Sequence, residues 1–303
     1  MGTICSKSDT PNKRRNITQN YEKEESPKIE SKPEINNENY ITGIIFINQE
    51  DLNRDIRIIN SYDQYKRENL GFAKDDYYKN SNEREIKNNC EIKINNTLIP
   101  FSFYHRFQTC GKHTIEYSFK KFLTNSSALF WGCNFITSLD FSNFNTEHIT
   151  NMSLMFGGCE SLTELNLSNF KTKNVINMQH MFNGCKSLTH LDLTQFDTRN
   201  VTNMVGMLEK CKSLTKLDLS NFNTQKVTTM VFMFCDCESL IDLDISNFNT
   251  INVADAGDML EGCYSLKNIR IKDTTQTSQS SEFMLSISYY WPIINSHQPK
   301  LNK

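Results

Sequence analysis

The amino-acid sequence predicts an α/β solenoid, a ladder of parallel strands with short helices, preceded by a small β-rich capping unit. Three observations point there. Six cysteines, Cys133, Cys159, Cys185, Cys211, Cys237 and Cys263, follow one another at a constant interval of 26 residues. The same phrase recurs around each, most clearly from Cys211 to Asp236 as CKSLTKLDLSNFNTQKVTTMVFMFCD. Each copy also changes its apolar spacing partway, from alternation to a helix-like interval. A fixed period in this range marks an array in which each unit buries its apolar face against its neighbours.

The chain opens with MGTICSKSDTPNKRR, and Gly2 with Ser6 fits the Met-Gly-x-x-x-Ser/Thr pattern of an N-myristoylation acceptor. One myristoyl chain binds a bilayer only marginally, so stable attachment needs a second acyl chain or a basic patch. Both are at hand: Cys5 is placed for palmitoylation, and Lys7, Lys13, Arg14 and Arg15 would be drawn to an anionic leaflet. A bacterial lipoprotein signal does not fit, because no apolar run precedes Cys5. The rest of residues 1–39 is rich in Asn, Glu, Lys, Ser and Pro and reads as a disordered tether.

Residues 40–112 read as the β-rich unit that closes the N-terminal end of the array. ITGIIFI, Ile41 to Ile47, reads as a buried strand, and DIRIINSY as a second. Residues 66–89 are charged and Asn-rich, as suits a loop or short solvated helix. Glu91 to Phe103 alternates on both sides of Asn95-Asn96, a hairpin signal. Cys90, Cys110, His105 and His113 match no zinc spacing, so no metal is expected.

The repeats occupy residues 113–272. LTNSSALFWGC, Leu123 to Cys133, aligns with ITNMSLMFGGC, Ile149 to Cys159, which places an atypical first coil near residue 113, with Ile115 and Tyr117 standing where Leu139 and Phe141 stand one coil later. In each copy the strand is Leu-x-Leu, as in Leu191 and Leu193, followed by a turn around a Phe such as Phe196. Val-Thr-Asn-Met-x-x-Met, as in Val201 to Met207, spaces its apolar residues as a short helix does, and a Gly-Cys pair would end it. Residues 273–303 read as a linker and a C-terminal capping segment or tail. The apolar stretch Phe283 to Ile294 is too short to span a bilayer.

The repeat resembles the 26-residue surface-protein repeat of the BspA-like leucine-rich repeat family, whose pattern LxxLDLSNFxTxxVTNMxxMFxGC it follows closely. That resemblance implies a leucine-rich-repeat-like solenoid used for adhesion or protein binding, with no catalytic residues to carry over. The chain departs from bacterial members in its acylation-like start and lack of an export signal, and so looks more like an intracellular eukaryotic (protist-like) relative.

The cysteine ladder is expected to be packing, since buried free Cys behaves as a small hydrophobe. The outward residue between the strand leucines is Asp140, Asn166, Asp192, Asp218 or Asp244, a solvated stripe that a cation or basic partner would suit. Two positions before it the residue changes in every copy: Ser138, Glu164, His190, Lys216, Asp242. Variation on an otherwise constant scaffold is where a repeat protein stores partner specificity, so these five are the candidate partner-binding residues. With 33 Lys+Arg against 35 Asp+Glu and a formal charge of −2, no global basic field points to nucleic acid. No phosphate-cradling loop or Ser-His-Asp spacing points to an enzyme, a cofactor or a small-molecule substrate. The expected function is a non-enzymatic protein-interaction module, lipid-anchored at the cytoplasmic face of a membrane. A surface adhesin exported by an unrecognised route is the alternative.

Overall fold

The computed structural model describes residues 39–70 and 81–271, together with Phe283, Leu285, Ile287 and Tyr289. All belong to one compact unit, Glu38–Lys303. The expected lipidation and basic residues, Gly2, Cys5, Lys7, Lys13, Arg14 and Arg15, lie outside the described residues.

Ahead of the repeats come β1 (Tyr40–Ile47), β2 (Ile56–Arg57), α1 (Tyr62–Asn69), α2 (Glu83–Asn89), β3 (Cys90–Ile94), β4 (Thr97–Ile99), β5 (Tyr104–His105) and β6 (Gly111–Phe119). α1 is capped by Ser61, whose hydroxyl accepts the Gln64 amide, the usual way a short helix satisfies its first donors. β3 and β4 form the hairpin that Asn95-Asn96 announces, with both residues at positive φ, 48° and 65°, as a two-residue turn of this hand demands. Within the repeats lie β7 (Ile136–Asp140), β8 (Glu164–Asn166), β9 (Asp242–Ile245) and β10 (Asn268–Ile271).

The main sheet has six strands in the order β4-β3-β6-β1-β7-β8. β1 pairs antiparallel with both β6 and β7. It therefore occupies the place next to β7 that the alignment of Ile115 and Tyr117 with Leu139 and Phe141 reserved for β6. β7 and β8 are parallel, Leu139 opposite Leu165, and β9 and β10 form a separate parallel pair.

The expected α/β solenoid, a leucine-rich-repeat-like strand ladder with a short helix in every repeat, is not what forms. The fold is mixed and dominated by sheet: α1 and α2, the two helices with defined bounds, both precede the repeats. The strand ladder is broken, with no strand at the copies around Leu191 and Leu217. The segment read as helical is a pair of successive turns. Its residues Ala128, Leu154, His180, Gly206, Phe232 and Asp258 all have φ between 51° and 59°, a left-handed conformation no right-handed helix tolerates in its interior.

Hydrogen bonding gives the physical reason. The Ala128, Phe130 and Gly132 amides donate to the Ser153, Met155 and Gly157 carbonyls of the next repeat at 2.8–2.9 Å. The intervening Leu129, Trp131 and Cys133 amides donate three residues back. A helix would need every amide for its own fourth carbonyl; here alternate amides are committed to the neighbouring repeat. Isolated parallel bridges, Asn125 to Asn151 and onward at the same interval to Asp255, mark the same register.

Apolar columns fill the interior. Met152, Met178, Met204 and Met230 are fully buried, as are Phe130, Phe156 and Phe182, whose rings stack at 6.3 and 5.5 Å. Phe283 and Ile287, in helical conformation, are buried in the same core, whereas Leu285 and Tyr289 are exposed. A buried polar column runs alongside: Thr146, Thr172, Thr198, Thr224 and Thr250 are at most 1 % exposed. The first four each donate to a carbonyl one repeat on and accept that same residue's amide, so the buried hydroxyls are satisfied.

Candidate interaction surfaces

The side chains of the cysteine ladder point inward, and their chemistry is spent there. The thiols of Cys159, Cys185, Cys211, Cys237 and Cys263 each donate to a carbonyl of the preceding repeat, Phe130, Phe156, Phe182, Leu208 and Phe234, at 3.1–3.3 Å. Burial pushes the Cys159, Cys211 and Cys263 thiols up to about 12, so they stay protonated and unreactive at neutral pH. Cys90 is buried and contacts the Glu91 carbonyl, while exposed Cys110 contacts Gln49.

The outward aspartates prove to be turn-builders. Asp192 accepts the Thr194 hydroxyl at 2.6 Å and amide at 2.9 Å; Asp244 does the same with Ser246. Asp218 accepts the Ser220 amide, and Asp140 the Ser142 amide and the Asn166 side chain. Bonds from Thr194 and Ser246 hold Asp192 and Asp244 below the usual carboxylate range, and Ser220 does so for Asp218. Each carboxylate therefore fixes the bend that follows it, which leaves fewer lone pairs for a cation.

The variable column divides. Ser138 is half-buried, paired with Ile44 of β1 on one side and Glu164 on the other. Glu164, His190, Lys216 and Asp242 are exposed. Asp242 accepts the Asn268 amide at 2.5 Å across the β9–β10 pair. At the ~4.8 Å spacing implied by the parallel bridges between successive repeats, the exposed four span roughly 15 Å of surface. The structure thus brings together four of the five and shields the first behind β1.

A cleft of about 410 Å³ lies where β2 and β5 meet the first repeats, lined by Arg57, Tyr104, Trp131, Asn134, Phe135 and Glu160 among others. Arg57 stacks its guanidinium 4.5 Å from the Tyr104 ring centre and pairs with Glu68 at 2.5 Å. Burial and the bond to Glu68 push the Tyr104 hydroxyl up to about 12. Nothing in the spacing of these residues announces the cleft, because its walls come from segments far apart in the chain. Among the described residues no helix is long and apolar enough to cross a membrane, and no group of three or more His, Cys, Asp or Glu is placed to hold a metal ion.

A family model described as "Mycoplasma protein of unknown function, DUF285" matches residues 102–192, 124–218 and 185–290, together more than half of the chain. This corrects the expected membership of the BspA-like leucine-rich repeat family and of an intracellular eukaryotic branch of it: the repeats that suggested it, residues 113–272, fall within the ranges that this other family matches. No curated protein and no solved structure matches the chain.

Proposed function

Since the chain belongs to the DUF285 family, whose description assigns no activity, we propose from its own residues that it is a non-enzymatic protein-binding module held at the cytoplasmic face of a membrane by acylation at Gly2 and Cys5. The observation that carries the binding half is the exposed row Glu164, His190, Lys216 and Asp242. Two carboxylates, an imidazole and an ammonium stand in register at the surface, outside the buried threonine and thiol columns. Asp242 shares one bond with Asn268 of the next repeat, whereas the Glu164, His190 and Lys216 side chains take part in no repeat-to-repeat hydrogen bond among the described residues, and such surface positions are those a partner can select. The anchoring half rests on the coincidence of Gly2, Cys5 and four basic residues within fifteen positions.

Two measurements test the two halves separately. Cells fed a clickable myristate analogue should label the wild type and not Gly2→Ala; equal absence of label from both refutes the anchor. Quantitative cross-linking in cells should show partners lost from a Glu164→Ser, His190→Ser, Lys216→Ser, Asp242→Ser variant that melts at the wild-type temperature. An unchanged partner set, or a large fall in melting temperature, refutes the binding row.

A further inference from the structure

One long edge of the repeats differs in charge from the strand face. It consists of the residues that flank each buried threonine and those that follow it to the next apolar position. In-register hydrogen bonds hold it together: Asn174, Asn200 and Asn252 side chains donate to the Glu147, Lys173 and Gln225 carbonyls of the preceding repeat at 2.7–2.8 Å. Along it stand five exposed cations, Lys121, Lys171, Lys173, Arg199 and Lys226. Against them are Glu147 and Asp197, paired at the surface with Lys171 and Arg199, and Glu85, which caps the edge's first end through Thr124. Lys121 and Lys173 form no ion pair among the described residues. The strand face by contrast carries Asp140, Glu164, Asp192, Asp218, Asp242 and Asp244 with Lys216 and Arg270.

Apolar side chains are interleaved with the cations. Phe122, Ile176 and Ile251 are 40 %, 49 % and 51 % exposed, three of the large exposed apolar residues of the chain, and Phe122 stacks on His148 at 5.4 Å. Exposed apolar groups set among lysines and arginines are the composition of a surface that lies on lipid, with the cations at the headgroups and the apolar groups at the acyl boundary. Asn39, where the described chain begins, is fixed to this edge: its side-chain oxygen accepts the Asn145 amide at 2.9 Å and its carbonyl the Phe119 amide at 2.8 Å.

We propose that this edge seats the folded unit on an anionic lipid bilayer, leaving the acidic strand face directed elsewhere; the choice of surface rests on the membrane reading above. Attraction of about 1 kcal/mol per lysine or arginine corresponds to roughly fivefold in affinity for each. The test uses the full chain carrying Gly2→Ala, so that no acyl group contributes, and sedimentation with phosphatidylcholine vesicles with or without phosphatidylserine. A Lys173→Gln, Arg199→Gln, Lys226→Gln variant should bind phosphatidylserine vesicles about a hundredfold more weakly, and should melt close to its parent because all three side chains are exposed and the bonds that two of them make, Arg199 to Asp197 and Lys226 to Asn200, lie at the surface, where such bonds are worth little.

A second variant, with Lys7, Lys13, Arg14 and Arg15 each changed to Gln, separates the edge from the N-terminal segment. Equal binding by the edge variant and its parent overturns the proposal, as does loss of binding in the N-terminal variant alone or equal binding to neutral vesicles. Loss of binding to an RNA homopolymer but not to vesicles would assign the edge to a different partner and also overturn it. Failure of the myristate label with a positive vesicle result would refute the acyl anchor and leave the edge standing.

Discussion

Replacing Thr198 by Val separates the two forces that hold one repeat to the next. The Thr198 hydroxyl donates to the Asn223 carbonyl at 2.9 Å and accepts the Asn223 amide at 2.8 Å. Valine has nearly the same shape, so packing is kept while both bonds go. Each is worth about 1 kcal/mol net, giving about 2 kcal/mol in all. The extra methyl returns at most about 0.8 kcal/mol if it is fully buried, and Thr198 is 1 % exposed. The expected result is a loss of about 1–2 kcal/mol, read as a lower urea midpoint by far-ultraviolet circular dichroism with the slope unchanged. If apolar burial alone held the stack, Thr198→Val would be neutral or stabilising. An unchanged or raised midpoint refutes the argument.

The buried thiols make stability depend on alkaline pH. Their folded-state values, about 12 for Cys159, Cys211 and Cys263, exceed the ordinary value near 9, so above pH 9 the unfolded chain releases protons that the folded chain keeps. Stability should be at full strength below pH 9 and fall as pH rises toward 12; a melting temperature flat between pH 8 and 11 would contradict it. At β1, Ile45→Lys sets a charge at a position with no exposure, between His113 of β6 and Ile136 of β7. It should cost at least about 3 kcal/mol and leave β7 with an open edge, seen as concentration-dependent scattering. A monomer of wild-type melting temperature would show that β1 does not hold that edge.

The repeat period, the columns that face inward and the Asn95-Asn96 hairpin were legible in the chain because each depends on neighbours in sequence or on a constant interval. The segment after each Phe turn was misread because apolar residues at Val201, Met204 and Met207 suit two backbones equally. A short helix buries them on one face; two consecutive turns bury them as well, provided one residue between is left-handed. Where that residue is Gly206 the alternative was visible, but Leu154 and Phe232 adopt it too, and neither residue type announces positive φ. Their strain is offset by amides bonded to the next repeat, a pairing no single repeat contains. The place of β1 was hidden for the same reason. Its alternating pattern marks a strand, whereas its insertion between β6 and β7 depends on an edge formed some ninety residues later.

Satisfaction of polar atoms also separates the columns that hold the fold from those free to do something else. The threonine hydroxyls, the ladder thiols and the outward aspartates all carry polar side chains, and all are occupied within or between repeats. Changing any of them alters the backbone that every repeat shares, which explains their recurrence at the period without reference to a partner. Glu164, His190 and Lys216 on the strand face, and Lys173 and Arg199 on the edge, recur in position but not in identity. A solvated side chain outside the repeat-to-repeat bonding can change without moving its neighbours. The two surfaces are therefore adjustable independently of the interior and of each other. The proposed seating on a bilayer with one side and on a partner with another relies on that separation, which follows from which atoms the repeat leaves unused.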